Sequence, residues 1–407
     1  MAYELMEAKE LVIKAGHALL ENGLIARTWG NVSARISDTQ FVITPSGLPY
    51  ETLTPDEIVV VNIADCEYEG DVKPSSEKGV HADAYKLHPE VNFVIHTHQT
   101  AASVASIAGK NLQDIPAEYK DLIGSQVVTA EYGISSTKTL RKNVETAYAE
   151  NLDVNAFLMK HHGTVCLGKD YDDAFAVAEA LEKVCEAEIT RACQAKAGSN
   201  DVTFADLAAV FTDKVVPANN KDIALQDLGS SAKTDFGFAL YMADGSKYFC
   251  NAEGGTLEGP AAPRCARLHA EIYKNNDVKF VRHFTAPEAV AVSKDDFKTE
   301  ALYLDDYVQI AGYNVKNVPL TEVNFRENCA DIAKAAKGTN AVFVTGLGAI
   351  VTANSEFDAT AVELVLDKEC KAHMYAALIP EAGTVGMLGG ILERTVYVMK
   401  YSKQAEK

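Results

Sequence analysis

The sequence has 407 residues, and its 38 Lys and Arg against 57 Asp and Glu give a formal net charge of −19. This length exceeds one typical domain, and a composition of 47% hydrophobic and 23% charged residues is that of a globular chain and excludes general disorder. The negative charge argues against nucleic acid as a partner, and no run of about 18 apolar residues predicts a membrane span. A small anionic substrate is still compatible with this charge, because a pocket can be locally positive.

The N-terminal residues 1–7 are acidic and lack the basic and apolar regions of a secretory signal. The eight cysteines are scattered along the chain without a Cys-x-x-Cys pair, so neither a disulfide framework nor a thiolate zinc site is indicated. We therefore expect reduced, mostly buried thiols in a cytoplasmic protein.

The first half alternates helical and strand patterns. Apolar residues at helical spacing predict an opening helix over 3–22, which ends at Gly23. Short β-type runs follow at 41–44, 58–63 and 93–96, and helical patterns at 77–87, 135–151 and 172–195. These patterns predict a mixed α/β domain.

A polar, loop-rich stretch between about Ala197 and Lys233 divides the chain, and the sequence beyond it repeats the first half. Residues 81–86 recur at 269–274 with four of six positions identical, 91–96 recur at 278–283, and 156–165 recur at 341–350. Two unrelated units could share such short words, but three collinear matches favour duplication. We predict domains at 1–197 and 233–407, joined by a linker at 198–232.

Histidines concentrate at His96-Thr97-His98 and at His161-His162-Gly163. Residues i and i+2 of a strand point to the same face, so His96 and His98 can present two imidazoles to one ion, and His162 can supply a third. Three neutral imidazoles with an open coordination position are typical of a catalytic zinc site. A lone His-x-His motif more often packs or lies at the surface, but the second histidine pair and Glu77 favour the metal site.

Small polar residues and glycines form three further motifs. Ser75 and Ser76 precede Glu77 at the start of a predicted helix, where hydroxyls and amides can cap the helix or bind a phosphate. The other two motifs are Gly30-Asn31-Val32-Ser33 and Thr44-Pro45-Ser46-Gly47. Each motif taken alone is an ordinary cap or turn.

Taken in their order along the chain, from Gly30 to Gly163, the five motifs resemble those of the class II aldolase/adducin family, over roughly residues 3–195. The resemblance implies a three-layer fold for each domain, with a central, mainly antiparallel sheet flanked by helices. It also implies a divalent metal, Zn²⁺ or another, bound by His96, His98 and His162, and it places Glu77 at the acid/base position. The phosphate-binding positions that it implies are Asn31, Ser46, Gly47, Ser75 and Ser76. Tyr119 lies where the family has a catalytic tyrosine that a neighbouring subunit contributes, and a packing tyrosine is the alternative for this position.

The reaction implied by the resemblance is cleavage of a ketose 1-phosphate to dihydroxyacetone phosphate and an aldehyde through an enediolate, which a metal stabilises as a Lewis acid. Epimerases and dehydratases of sugar phosphates share the same ligands and are the alternative. A non-enzymatic, adducin-like interaction module is a further alternative, against which the retained histidines and Glu77 argue.

The second half does not retain the metal-site pattern. His283 aligns with His96, but Thr285 and Leu347 take the places of His98 and His162. A Gly-x-Gly after a predicted strand at 344–351 resembles a dinucleotide-binding turn, yet it lacks the third glycine and aligns with the His-His-Gly turn. We expect a degenerate domain that supplies the adjoining wall of the first half's site, in a homo-oligomer in which two chains form a pseudo-tetramer.

Overall fold

The computed structural model describes residues 2–25, 29–211, 227–294, 297, 299–380 and 382–401. These residues form two α/β halves, each built on one sheet with helices on both faces. This confirms the predicted fold class of two tandem three-layer domains. Part of the predicted linker, residues 212–226, lies outside the described residues.

The first half contains a seven-stranded sheet. Its strands are β1 (Asn31–Arg35), β2 (Gln40–Ile43), β3 (Val59–Asn62), β4 (Phe93–Thr97), β5 (Val128–Ala130), β6 (Ala156–Met159) and β7 (Gly163–Gly168). Its helices are α1 (Leu5–Glu21), α2 (Lys78–Leu87), α3 (Thr100–Ser106), α4 (Lys120–Ile123), α5 (Lys138–Glu150) and α6 (Tyr171–Ala197).

The strand order is β3-β2-β1-β4-β7-β6-β5, and every pair is antiparallel except β5 with β6. Strand β4 lies at the centre, and all five of its residues are buried. Because β4 is covered on both faces, its first three residues, Phe93 to Ile95, form a continuous apolar run. One face of the sheet packs on α1, α3 and α6, and the other packs on α2 and α5.

The predicted helices and their ends are present. Helix α6 begins where the Asp170 carboxylate accepts the backbone N–H of Asp173, and it ends at Gly198, whose φ is +65°. Gly23 likewise has a φ of +67° just after α1. The turn chemistry in the sequence therefore places these helix ends to within one or two residues.

The second half contains an eight-stranded sheet of order β11-β10-β9-β8-β12-β15-β14-β13. Its strands are β8 (Ser230–Thr234), β9 (Gly237–Tyr241), β10 (Lys247–Cys250), β11 (Thr256–Glu258), β12 (Phe280–Phe284), β13 (Asn317–Val318), β14 (Ala341–Val344) and β15 (Gly348–Ala353). Its helices are α7 (Ala266–Asn275), α8 (Pro287–Val292), α9 (Asp305–Ile310), α10 (Phe325–Ala335), α11 (Glu356–Ala376) and α12 (Met387–Val396). Strands β14 and β15 form an antiparallel hairpin, not the strand-to-helix turn of a dinucleotide site.

The repeat extends to a buried hydrogen-bond motif. In the first half, Ser33 Oγ lies 2.6 Å from His81 Nδ1 and 2.7 Å from the Tyr85 hydroxyl. In the second half, Ser231 makes the same two contacts with the matching histidine and tyrosine, at 2.6 and 2.9 Å. Because the motif is also present in the half that lacks a metal-site pattern, it stabilises the fold in both halves.

The two halves share one hydrophobic core. Helix α11 of the second half packs against α3 of the first, and apolar residues from both halves form one continuous cluster. Burial of each large apolar side chain in such a core contributes roughly 1.5–3 kcal/mol. This packing fixes α9 and the residues before it beside the first sheet.

Two further expectations concern the cysteines and the membrane. All eight cysteines lie among the described residues, where they are buried and free. Within the described part of the chain, no helix is both long and apolar enough to cross a bilayer.

Candidate metal centre

The candidate site lies at the carboxyl end of β4. His96 is the next-to-last residue of this strand, and His98 follows the strand's end. The hairpin of β6 and β7 turns at residues 160–162, and its register, with Thr97 opposite Thr164, brings His162 to the same edge. Sheet topology thus brings together histidines that are more than sixty positions apart.

The three imidazoles converge. Their ligand atoms lie within 4.8 Å of one another, and all three residues are buried. His96 Nε2 and His98 Nε2 are 3.1 Å apart, while the rings of His96 and His162 are stacked with an interplanar angle of 8°. Ring nitrogens that face each other in a buried site are the arrangement expected around a shared cation.

The Glu77 carboxylate lies beside these nitrogens, immediately before α2. Its Oε2 is 3.1 Å from His96 Nε2, and its Oε1 is 3.2 Å from His162 Nε2. The side-chain amide of Asn31 donates to Oε2 at 3.2 Å. Burial alone would raise the pKa of Glu77, but His96 and His162 outweigh it and hold this pKa well below the usual glutamate value. The carboxylate is therefore ionised across the physiological pH range.

The other nitrogen of two of the imidazole rings has a partner that orients it. His96 Nδ1 lies 2.7 Å from the Thr164 carbonyl, and His162 Nδ1 lies 2.5 Å from Asp305 Oδ2. A carbonyl oxygen can only accept, so His96 donates from Nδ1, and its Nε2 is the nitrogen that faces the cluster. His98 differs, because its Nδ1 is 3.6 Å from Asp306 Oδ2 and has no hydrogen-bond partner. Burial lowers the pKa of His98 to about 4, so this ring is neutral.

These residues fit a divalent metal ion. The buried Nε2 of His162 has no hydrogen-bond partner and points to the same place as the Nε2 atoms of His96 and His98. Without an ion, the carboxylates of Asp305 and Glu77 outweigh burial and hold the pKa of His162 well above the usual imidazole value. The site therefore accommodates positive charge at this position, which a divalent cation can supply.

The residues predicted for phosphate binding line the same cavity as the histidines. Asn31, Ser46, Gly47, Ser75 and Ser76 all line it together with Glu77 and the three histidines. Gly47 has a φ of +78°, a left-handed conformation that favours glycine. The Ser75 hydroxyl accepts the backbone N–H of Glu77 at 3.2 Å and so fixes the turn that precedes α2. Asn31 holds Glu77 through one amide hydrogen and lines the cavity as well.

Residues of the second half form the opposite wall of this cavity, whose volume is about 340 Å³. They are Asp306, Gln309, Phe357, Glu393, Val396 and Tyr397, and Trp29 of the first half lies beside them. Sequence reasoning missed all of these residues. Repeat alignment shows what the second half has lost, but no local pattern indicates which of its residues face the first half.

Tyr119 does not line this cavity. It ends a 3₁₀ turn at Ala117–Tyr119 and packs against the hydrophobic core. In the order of repeated elements, this turn and α4 correspond to α9, which contributes Asp305 and Asp306 to the site. A catalytic role for Tyr119 requires another copy of the chain and stays a prediction.

Comparison with known proteins finds one matching family model and several similar structures. The model of the Class II Aldolase and Adducin N-terminal domain matches residues 10–189 and 239–374, which is more than half of the chain. An L-fuculose 1-phosphate aldolase structure is 29% identical, with 48% of this chain and 90% of that one covered and a TM-score of 0.42. The L-fuculose-1-phosphate aldolase of Thermus thermophilus is 25% identical, with 45% and 92% covered and a TM-score of 0.39. YgbL of Escherichia coli, whose description leaves open whether it is an aldolase, an epimerase or a decarboxylase, is 24% identical, with 44% and 86% covered and a TM-score of 0.40.

Proposed function

Since the chain belongs to the class II aldolase and adducin family, we propose that it is a zinc-dependent aldolase that cleaves a ketose 1-phosphate to dihydroxyacetone phosphate and an aldehyde. The convergence of His96, His98 and His162 beside Glu77 carries the proposal. An interaction module has no need of three buried imidazoles and a buried carboxylate at one end of a cavity, because such groups are costly to desolvate.

In this proposal, the three imidazoles hold the ion, and Glu77 moves the proton. A bound divalent ion supplies Lewis-acid stabilisation of the negative charge that develops when the carbon–carbon bond breaks. Glu77 takes the proton of the hydroxyl that becomes the aldehyde and returns it to the carbanion carbon. Asn31 fixes the orientation of Glu77, since its amide donates to Oε2 at 3.2 Å.

In this proposal, the same cavity also binds the phosphate. The hydroxyls of Ser46, Ser75 and Ser76, the Asn31 amide and the backbone at Gly47 provide donors around one anionic group. Ser75 and Ser76 directly precede Glu77, and Asn31 donates to its carboxylate, so a phosphate bound by these residues keeps the reacting carbons near Glu77. We expect Ser75→Ala and Ser76→Ala to raise KM for a phosphorylated ketose more than they lower kcat.

We further propose that residues 1–197 are the catalytic domain and that 233–407, after a linker at 198–232, are a degenerate domain that completes the cavity wall. The support is that Asp306, Gln309 and Glu393 line the cavity within one chain. By the symmetry of the repeat, the turn with Tyr119 contacts the second half of another copy, in a proposed pseudo-tetramer of two chains in the cytoplasm. We expect the full chain to sediment as a dimer. A monomer at all concentrations would contradict the proposed pseudo-tetramer.

Metal analysis of the purified full chain tests the site. We expect one divalent ion per chain in the wild type and less than a tenth of that in His98→Ala. His283→Ala is the matched control, because His283 aligns with His96 but contacts Leu347 and Leu228 in the second half. It should keep its ion.

A screen of ketose phosphates then tests the reaction. Release of dihydroxyacetone phosphate from a ketose 1-phosphate, abolished by chelator and restored by Zn²⁺, is the expected result. Conversion to an isomer or loss of water without cleavage would instead identify an epimerase or a dehydratase on the same metal site. A metal-loaded protein without turnover of any sugar phosphate would favour the adducin-like module.

A further inference from the structure

A short segment of the second half, residues 303–306, lies against the histidine turn of the first half. The His161 ring donates from Nδ1 to the Tyr303 carbonyl at 2.8 Å, and the backbone N–H of Asp305 donates to the His161 carbonyl at 2.9 Å. The third contact is the 2.5 Å hydrogen bond between His162 Nδ1 and Asp305 Oδ2. The segment therefore holds both the backbone and the rings of this turn.

Burial of the Asp305 carboxylate beside this turn costs desolvation free energy. It is 0% exposed, and among the described residues its only charged partner within ion-pair distance is His162. The Ser135 hydroxyl donates to the same carboxylate oxygen at 2.7 Å, and Oδ1 has no hydrogen-bond partner. A buried carboxylate without a Lys or Arg is destabilising unless its charge has a counterpart. The counterpart lies at the His162 ring.

The hydrogen bond decides which nitrogen of His162 is available to a metal. An ionised carboxylate can only accept, so the Nδ1 of His162 carries a hydrogen. When the ring is neutral, as a metal ligand must be, its lone pair is therefore at Nε2, which faces Glu77 and the other two histidines. A carboxylate on the far side of a histidine ligand fixes the tautomer and raises the basicity of the ligating nitrogen.

Asp306 acts differently from its neighbour. Its carboxylate forms an ion pair with the buried Lys368, and it stays 3.6 Å from His98 Nδ1. The Lys368 ammonium also donates to the His98 carbonyl at 3.1 Å. This pair therefore holds the backbone of His98, and its charge is already balanced by the lysine.

Helix α11 fixes the position of the segment. The fully buried Glu369 accepts the backbone N–H groups of Tyr303 and Leu304 at 2.8 and 2.9 Å. Together with Lys368, it connects the long helix of the second half to the turn that carries His162. Hydrogen bonds therefore connect α11, through the segment at residues 303–305, to the imidazole ring of His162.

We propose that Asp305 is a positioning residue of the first half's metal site, supplied by the second half of the same chain. It holds the His162 ring with Nδ1 protonated and Nε2 directed at the ion. The second half, in which Thr285 and Leu347 replace two of the histidine ligands, thereby completes the metal site of the first half. The inference rests on the proposed metal site but not on the reaction catalysed there.

The test compares Asp305→Ala, Asp305→Asn and a control, all in the full chain. The control is Asp121→Ala, which removes an exposed carboxylate from α4, the element that corresponds to α9 in the repeat. Zn²⁺ affinity is measured by competition with a chelator, and thermal melts of the metal-free proteins report folding. Proton spectra of the zinc-loaded proteins report the ring N–H of His162, which a carboxylate partner shifts to low field.

Asp305→Ala should bind Zn²⁺ about 10–100-fold more weakly and lose the low-field ring signal. Asp305→Asn keeps an acceptor oxygen without the charge, so it should retain a ring hydrogen bond and lie between the alanine variant and the wild type. Asp121→Ala should match the wild type in both measurements.

Affinity of Asp305→Ala within twofold of the wild type would overturn the inference and leave the proposed metal site intact. If Asp305→Ala does not fold, the nearly isosteric Asp305→Asn decides, and unchanged affinity together with an unchanged ring signal would overturn it. A folded wild-type chain that binds no divalent ion would overturn both the inference and the proposed function.

Discussion

Trp29 lies beside the ring of His98, with 6.0 Å between the ring centroids and an interplanar angle of 48°. It is the single tryptophan of the chain, so all tryptophan fluorescence comes from a residue beside the candidate metal centre. We expect Co²⁺ to quench this fluorescence with saturation at one ion per chain, and a chelator to restore it. The same titration of His98→Ala is the control and should show no saturable quenching; equal quenching in both proteins would argue against an ion at His98.

Glu77→Gln separates metal binding from proton transfer. The amide keeps the size of the side chain but cannot take up a proton, and the three imidazoles remain in place. We expect an unchanged ion content and a kcat reduced by about 10²–10⁴-fold, the usual contribution of a positioned acid or base. Metal analysis and steady-state rates with the screened ketose phosphate make the test, and a normal rate would contradict the role given to Glu77.

Gly163→Ala should damage the metal site through packing. A methyl group at this position would lie 2.4 Å from the Thr97 carbonyl oxygen and 3.3 Å from His96 Cε1, so β7 must move away from β4. Gly348 is the counterpart in the second half, where a methyl group would lie 2.3 Å from the Phe284 carbonyl oxygen and far from any ligand. Both alanine variants should melt at a lower temperature, but only Gly163→Ala should also weaken Zn²⁺ binding. Equal zinc affinity of the two folded variants would contradict this.

Glu393 should make stability depend on pH near neutrality. Burial, with a further contribution from Asp305, raises the pKa of Glu393 to about 7, above the ordinary glutamate value. The folded protein therefore holds this proton at pH values where the unfolded chain has released it. The associated stability is complete below the unfolded pKa and is lost as pH rises through about 7.

Denaturant unfolding of the wild type and Glu393→Gln at pH 5 and pH 8 measures this effect. The glutamine variant cannot release a proton, so its free energy of unfolding relative to the wild type should rise between the two pH values, by on the order of 1–3 kcal/mol. Parallel pH dependence of the two proteins would show that Glu393 does not titrate near 7.

Local sequence patterns predicted the first half well. Strand β4 and helices α2, α5 and α6 begin and end within about three residues of the predicted bounds, because apolar spacing and capping residues act over a few positions. The i, i+2 spacing of His96 and His98 is likewise a local property of a strand. His162 is distant in sequence, and its place in the cluster depends on the β6–β7 register, which the family resemblance indicated and no local pattern could.

The contribution of the second half could not be predicted in the same way. Asp305, Asp306 and Glu393 reach the site only because α11 packs on α3 and brings α9 and α12 to the edge of the first sheet. An Asp-Asp pair in the first turn of a helix is an ordinary helix-start signal in sequence. The pair becomes part of the metal site only through tertiary packing between the two repeats. Such packing leaves no periodicity or spacing pattern in the sequence.

Anomalous diffraction from crystals grown with Zn²⁺, recorded on both sides of the zinc absorption edge, tests the central claim most directly. The account predicts one strong peak per chain at about 2.0–2.1 Å from the Nε2 atoms of His96, His98 and His162. A peak elsewhere in the chain, or no peak at these histidines in zinc-saturated crystals, would contradict it.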